Sequence, residues 1–177
     1  AVFDGKAGMI AELRTLRAWA LYKALDLFGN IPVNLDFTNT DLPKQITRTE
    51  SFNIIEKELL EAYPLLQETP SNEYYGRCTQ PVAFAILAKL YLNAEKWLGT
   101  PRYTDAIAMC DNIINAENYT LESVYGDNFK VENESSSEVI WAMPLDRLIG
   151  DFGFQMHMYT LHHAELAKYD LTGTWCW

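Results

Sequence analysis

Apolar and polar positions along residues 75–115 alternate with helical period in two successive runs. In the first, Ala83, Ile86, Leu87, Leu90, Tyr91, Ala94 and Trp97 recur at the three- and four-residue spacing of one helix face. Thr79 stands where its hydroxyl can cap the opening turn, and Pro81 stands where a missing N–H costs nothing. Gly99 and Pro101 end this helix, since glycine accepts a left-handed cap and proline cannot continue the hydrogen-bond ladder. Tyr103, Ala106, Ile107, Cys110, Ile113 and Ile114 then form a second stripe, so the segment predicts an antiparallel helix pair.

Residues 9–28 are apolar on two stripes. Leu13, Leu16, Ala20, Ala24 and Leu27 form one, and Ala18, Leu21, Leu25 and Phe28 the other. Such a helix is expected to be buried on most sides, ending at Gly29 and Pro32. Arg14 and Arg17 interrupt its apolar surface and call for acidic partners. Residues 30–46 read as an extended loop. Thr47 and Glu50 then have the spacing of a capping box. Behind them Phe52, Ile55, Leu59, Ala62 and Leu66 form a single-sided stripe that Pro64 should kink or end. Phe84, Leu87, Ala88 and Tyr91, with Ala106 later, fit a degenerate tetratricopeptide (TPR) pattern; the Trp97–Pro101 turn is longer than the standard repeat allows. After residue 117 the period is lost: Leu121, Val124, Tyr125 and Phe129 predict irregular structure or short helical turns. Residues 139–142, Val-Ile-Trp-Ala before Pro144, predict a short strand. From 148 to 177 aromatics, glycines and histidines mix without period, as in a long loop region. The fold class is therefore all-α: TPR-like helix pairs in an α-α superhelix, with long irregular loops and minor β. The helical scaffold covers about 9–117, and a strand and loop region about 118–177.

Composition narrows the function. Of the 177 residues 49% are hydrophobic, which argues for a packed globule rather than disorder. The net charge of −10, with basic residues dispersed, provides no electrostatic footprint for nucleic acid and disfavours an anionic membrane surface. No apolar run is long enough to span a bilayer, and no signal peptide is visible. Five Trp, ten Tyr and eight Phe exceed what helix stripes use, and the surplus in loops hints at ligand stacking. Cys78, Cys110 and Cys176 are odd in number and lack metal-type spacing; Cys110 reads as a small buried hydrophobe, and a Cys78–Cys110 disulfide stays open.

Four blocks, LRTLRAWALYKALDLFGNIPV, TRTESFNIIEKELLEAYPLL, YGRCTQPVAFAILAKLYLNAEKWLGTPRYTDAI and NESSSEVIWAMP, occur in the order seen in the SusD/RagB family. Over residues 9–145 the chain resembles these glycan-binding surface lipoproteins of Bacteroidetes. The resemblance implies a non-catalytic protein built on TPR-like pairs, lipid-anchored at the extracellular face of the outer membrane. It would bind oligosaccharides and deliver them to a SusC-like TonB-dependent transporter. Family members have several hundred residues and an anchoring cysteine, so this chain is expected to be an internal fragment of one SusD-like domain. The alternative is a TPR-type adaptor for a protein or peptide partner, with a hydrolase third.

Glycan recognition needs flat rings for sugar faces and a few polar groups for hydroxyls. The segment after the NSSE-like block carries Phe152, Phe154, His157, Tyr159, Tyr169, Trp175 and Trp177. Trp175 and Trp177, then Tyr159, are the expected ligand-binding residues, on composition and location. His157, His162 and His163 lack the spacing of a zinc site. No cofactor is expected; calcium held by Asp146, Asp151 or Asp170 remains an open structural role, without an EF-hand pattern. No nucleophile elbow, P-loop or dinucleotide fingerprint is present, and no catalytic residues are assigned.

Overall fold

The computed structural model describes residues 6–36, 38–130 and 133–144, together with 164, 167 and 168. The chain divides into two compact units, Ala1–Ala142 and Met143–Trp177. In the second, Met143, Pro144, Ala164, Ala167 and Lys168 are described, the last three in 3-10 turns.

The first unit is helical, with α1 at Ala7–Phe28, α2 at Arg48–Ala62, α3 at Gln80–Leu92, α4 at Ala94–Leu98 and α5 at Tyr103–Ile114. Its β content among the described residues is one antiparallel pair, β1 (Ile31–Pro32) with β2 (Gln45–Ile46), in which Ile31 faces Ile46. This pair closes the 30–46 loop and buries Ile31. The main packing partners are α1 with α2 and α3 with α5, two consecutive TPR-like helix pairs.

Local chemistry sets most boundaries. At the start of α2 the capping box is complete: Glu50 N–H donates to Thr47 Oγ1 at 3.2 Å, and Thr47 N–H to Glu50 Oε2 at 2.8 Å. Pro64 ends the helix, and Tyr63–Leu65 tighten into a 3-10 turn. Gly29 closes α1 at φ +75, its N–H donating to Leu25 O at 2.8 Å. Gly99 closes α4 in the left-handed region at φ +74. Thr79 precedes α3 as expected, but its hydroxyl makes no cap; Val82 and Ala83 N–H groups bond its backbone carbonyl instead.

Four sequence expectations need correction. The helix predicted through Trp97 breaks at Asn93, whose φ of −95 and ψ of 2 leave the helical well and separate α3 from α4. The run 139–142 is not a strand: among the described residues no strand lies beside it to pair with, and Ile140 and Trp141 instead lean on the helical core. Helix α1 is not buried on most sides. Only Ala11, Thr15, Ala18, Tyr22 and Leu25 are buried, whereas Leu13, Leu16, Ala20, Leu27 and Phe28 are exposed. Neighbours cover one stripe of α1, and its small residues let α2 approach closely. Cys110 is likewise exposed, because the fold buries α5 only at Ala106, one turn earlier; Cys78 and Cys110 are both free thiols.

The core is continuous across the pairs. Phe52, Ile55, Leu59 and Ala62 of α2 are fully buried, as are Ala83, Leu87 and Leu90 of α3. Trp97 joins three elements: its ring meets Tyr22 at 6.1 Å and Phe52 at 6.4 Å, and its carbonyl accepts from Thr49 Oγ1 at 3.1 Å. The turn that breaks the standard repeat spacing is thus anchored in the core. Arg14 and Arg17 find the acidic partners their positions demanded. Arg14 bonds Glu58 at 3.1 Å and Glu61 at 2.5 Å, and Arg17 reaches Glu58.

Candidate functional site

The expected glycan contacts Trp175, Trp177 and Tyr159 lie outside the described residues, as do the histidines and Asp146, Asp151 and Asp170. Among the described residues no group of three His, Cys, Asp or Glu side chains could hold a metal ion, and no helix is long and apolar enough to cross a membrane.

Within the first unit a cleft of about 330 Å³ opens between α1, α3 and residues 138–141. Its apolar base includes Val82 and Ile86 of α3, both buried. Trp19 and Tyr22 of α1 line one side and Trp141 another; Lys23, Lys89 and Glu138 supply charge at its rim. The helical register dictates part of this. Tyr22 belongs to the buried stripe of α1, while Trp19, one position past Ala18, falls at its edge and is half-buried. Trp19 and Trp141 meet edge to face, ring centroids 5.3 Å apart at 86°.

Trp141 is held from two sides. Its indole N–H donates to Gly76 O at 3.2 Å, across 65 residues of sequence. The residues before it are fastened by a polar knot. Ser137 N–H donates to Glu122 Oε1 at 2.7 Å and Thr120 N–H to Ser137 O at 3.1 Å. Glu138 Oε2 accepts from Asn128 Nδ2 at 2.7 Å and from Glu122 N–H at 3.2 Å. Ser136 Oγ and Asn128 Oδ1 are 2.6 Å apart. The bonds from Ser137 N–H and Oγ hold the Glu122 carboxyl below its ordinary range. The NESSSE stretch is therefore a clamp that presents Trp141 on the helical scaffold.

A second groove, about 370 Å³, runs past Phe84, with Glu68, Thr69, Gln80, Asn112 and Asn118 around it. Tyr63 supports the Phe84 ring at 5.1 Å between centroids. Neither depression assembles a nucleophile with a base. Both offer rings with amides or charges beside them, which is binding chemistry.

The sequence pattern marks Trp141 only as part of a strand, and Trp19 belongs to neither stripe of the 9–28 helix. The available signal was the offset of Trp19 by one position from the stripe through Ala18 and Tyr22. Nothing local announces its meeting with Trp141, 122 positions later.

The comparisons agree with the geometry. Over 130 residues the chain is 32% identical to the starch-binding protein SusD of Bacteroides thetaiotaomicron, covering 73% of this chain and 23% of that protein. The chain is SusD-like. Surface glycan-binding protein A of Bacteroides thetaiotaomicron, solved with laminarihexaose, is 26% identical with a TM-score of 0.65, over 79% of this chain and 28% of that one. The NanU structure of B. fragilis superposes at a TM-score of 0.78 over 93% of this chain and 34% of that chain, at 18% identity, which speaks to fold alone. No family model matches. The SusD-like chain thus spans about a quarter of the length of the curated relative it matches, and its helix pairs are those of SusD-like structures.

Proposed function

We propose that this SusD-like chain belongs to a non-catalytic protein that binds oligosaccharides at the bacterial cell surface and passes them to a SusC-like TonB-dependent transporter. The observation that carries this reading is the 32% identity to a starch-binding protein over 73% of the chain. The 26% identity to a glycan-binding protein solved with laminarihexaose supports the same ligand class. The cleft supplies fitting chemistry: indole and phenol rings for sugar faces, and Lys23, Lys89 and Glu138 for hydroxyls. Rings pre-fixed by packing and by the Trp141–Gly76 bond lose little entropy when a sugar stacks on them. Trp175, Trp177 and Tyr159 are proposed as additional stacking rings. No cofactor takes part. The protein is anchored by lipid to the extracellular face of the outer membrane.

The test is titration of the protein with malto- and laminari-oligosaccharides, followed by tryptophan fluorescence. Saturable quenching without release of shorter products is the expected result. Release of products would indicate a hydrolase. Silence toward every glycan, together with tight peptide binding, would favour an adaptor. Transfer is tested separately, by co-purification with a TonB-dependent transporter from outer membranes.

A further inference from the structure

The charged groups on the rim of the cleft differ in what they leave free. Lys23 follows Trp19 by four residues on α1, and Lys89 follows Ala85 by four on α3. Each ammonium therefore stands one helical turn from an apolar wall of the cleft. Elsewhere in the first unit Arg14, Arg17, Arg77 and Arg102 are all held by carboxylates. Among the described residues neither Lys23 nor Lys89 forms an ion pair, although acidic residues outnumber Lys and Arg by 24 to 14 in the sequence. Lys23 instead lies over the Tyr22 ring, 5.8 Å from its centroid. Glu138 is already engaged by the clamp, its Oε2 accepting from Asn128 Nδ2 and Glu122 N–H. The rim thus offers two cations that can only donate, and a single carboxylate committed elsewhere.

We propose that the cleft selects an acidic sugar, one bearing a carboxylate or a sulfate, over a neutral one. The inference rests on the reading of the cleft as a sugar site and narrows its ligand. A neutral ring offers hydroxyls, each donor and acceptor at once, and meets a rim with donors in excess. A carboxylate or sulfate only accepts, and its bonds to ammonium groups are charge-assisted. The perpendicular rings of Trp19 and Trp141 supply the apolar contact, and Lys23 and Lys89 the charge. The net charge of −10 does not forbid this. At physiological ionic strength charges more than about 8 Å away are screened, so lysines at the cleft outweigh carboxylates elsewhere on the surface. Starch and laminarihexaose, named for two relatives, are uncharged, so the preference comes from this cleft and not from those likenesses.

The test is calorimetric titration of the full-length protein, at low and high salt, with oligosaccharides of matched length. The probes are laminarihexaose, a uronic-acid oligomer and a sulfated laminari-oligosaccharide, with an oligoglutamate peptide as the charge control. At low salt an acidic oligosaccharide is expected to bind at least about fivefold tighter than the neutral one, and the ratio should shrink as salt rises. Whichever acid binds tighter names the substituent. Lys23 and Lys89 are exposed, so the double variant Lys23→Gln, Lys89→Gln should keep its circular dichroism while the ratio falls to about one. Equal or tighter binding of laminarihexaose by the unmodified protein overturns the proposal and leaves the proposed function standing. An acidic preference that survives the double substitution overturns it by placing charge recognition elsewhere. Oligoglutamate binding as tightly as the acidic sugars overturns it as well, since the cleft would then take anions of any kind. Silence toward every oligosaccharide removes the sugar site itself, and the proposed function falls with it.

Discussion

At the scale of single residues, the charges that fasten α1 to α2 have a defined pH signature. Burial disfavours the Glu58 carboxylate, but hydrogen bonds from Arg14 and Arg17, and their charges, outweigh it and hold the carboxyl below its ordinary range. A folded-state value below the unfolded one contributes stability that is present above the unfolded value of about 4.3 and is lost as pH falls through the depressed value. Urea denaturation between pH 7 and pH 3 should show this loss, and Glu58→Gln should flatten it while removing about 1.5–3 kcal/mol at pH 7. Gly29 offers a second residue-scale test. At φ +75 a Cβ would also lie 2.6 Å from Arg48 Nε. Gly29→Ala is expected to cost about 1–2 kcal/mol, visible as a lowered Tm. Burial pushes the Cys78 thiol up to about 11, so it should stay unalkylated at pH 8 until the protein unfolds.

At the scale of elements, the pairs depend on a few rings. Phe52 is fully buried and touches both Tyr91 and Trp97. Phe52→Ala should cost about 3–5 kcal/mol by equilibrium unfolding, through lost burial and the cavity left behind. Most of this level was legible in sequence. The α2 stripe from Phe52 to Leu66, the capping box and the Pro64 stop are local signals, and the structure reproduces them. The failures share a cause. Whether Leu13 or Leu16 is buried depends on what stands opposite α1, and periodicity reports only that a face is apolar. The run 139–142 has strand composition, yet a strand requires a partner, and the helical core captured Ile140 and Trp141 first. Asn93 breaks its helix with no proline or glycine to announce it; its side-chain amide donates to Lys89 O at 3.0 Å, the kind of local bond that competes with the helix.

At the scale of the whole molecule, four ordered blocks identified the family and its helical fold, whereas the site depended on contacts no block contains. The Trp19–Trp141 meeting and the Trp141–Gly76 bond are long-range, and they are what turns a bare helix surface into a cleft. If that cleft stacks sugars, Trp19→Ala in the full-length protein should weaken oligosaccharide binding by about 1–3 kcal/mol with the circular dichroism unchanged. Calorimetric titration reads both the loss and its enthalpy.

The Trp141 bond to Gly76 also has a temporal side. Helices α1 to α5 are complete by residue 114, and their main partners are close in sequence, so they can assemble before the clamp is in place. The clamp and its tryptophan then dock on a scaffold already built, through the long-range contacts to Gly76 and Trp19. A chain halted at residue 118 should therefore show helical circular dichroism yet hold no cleft, and restoring residues 119–142 should close the cleft without adding helix. Formation of the cleft is thus a step distinct from folding of the frame.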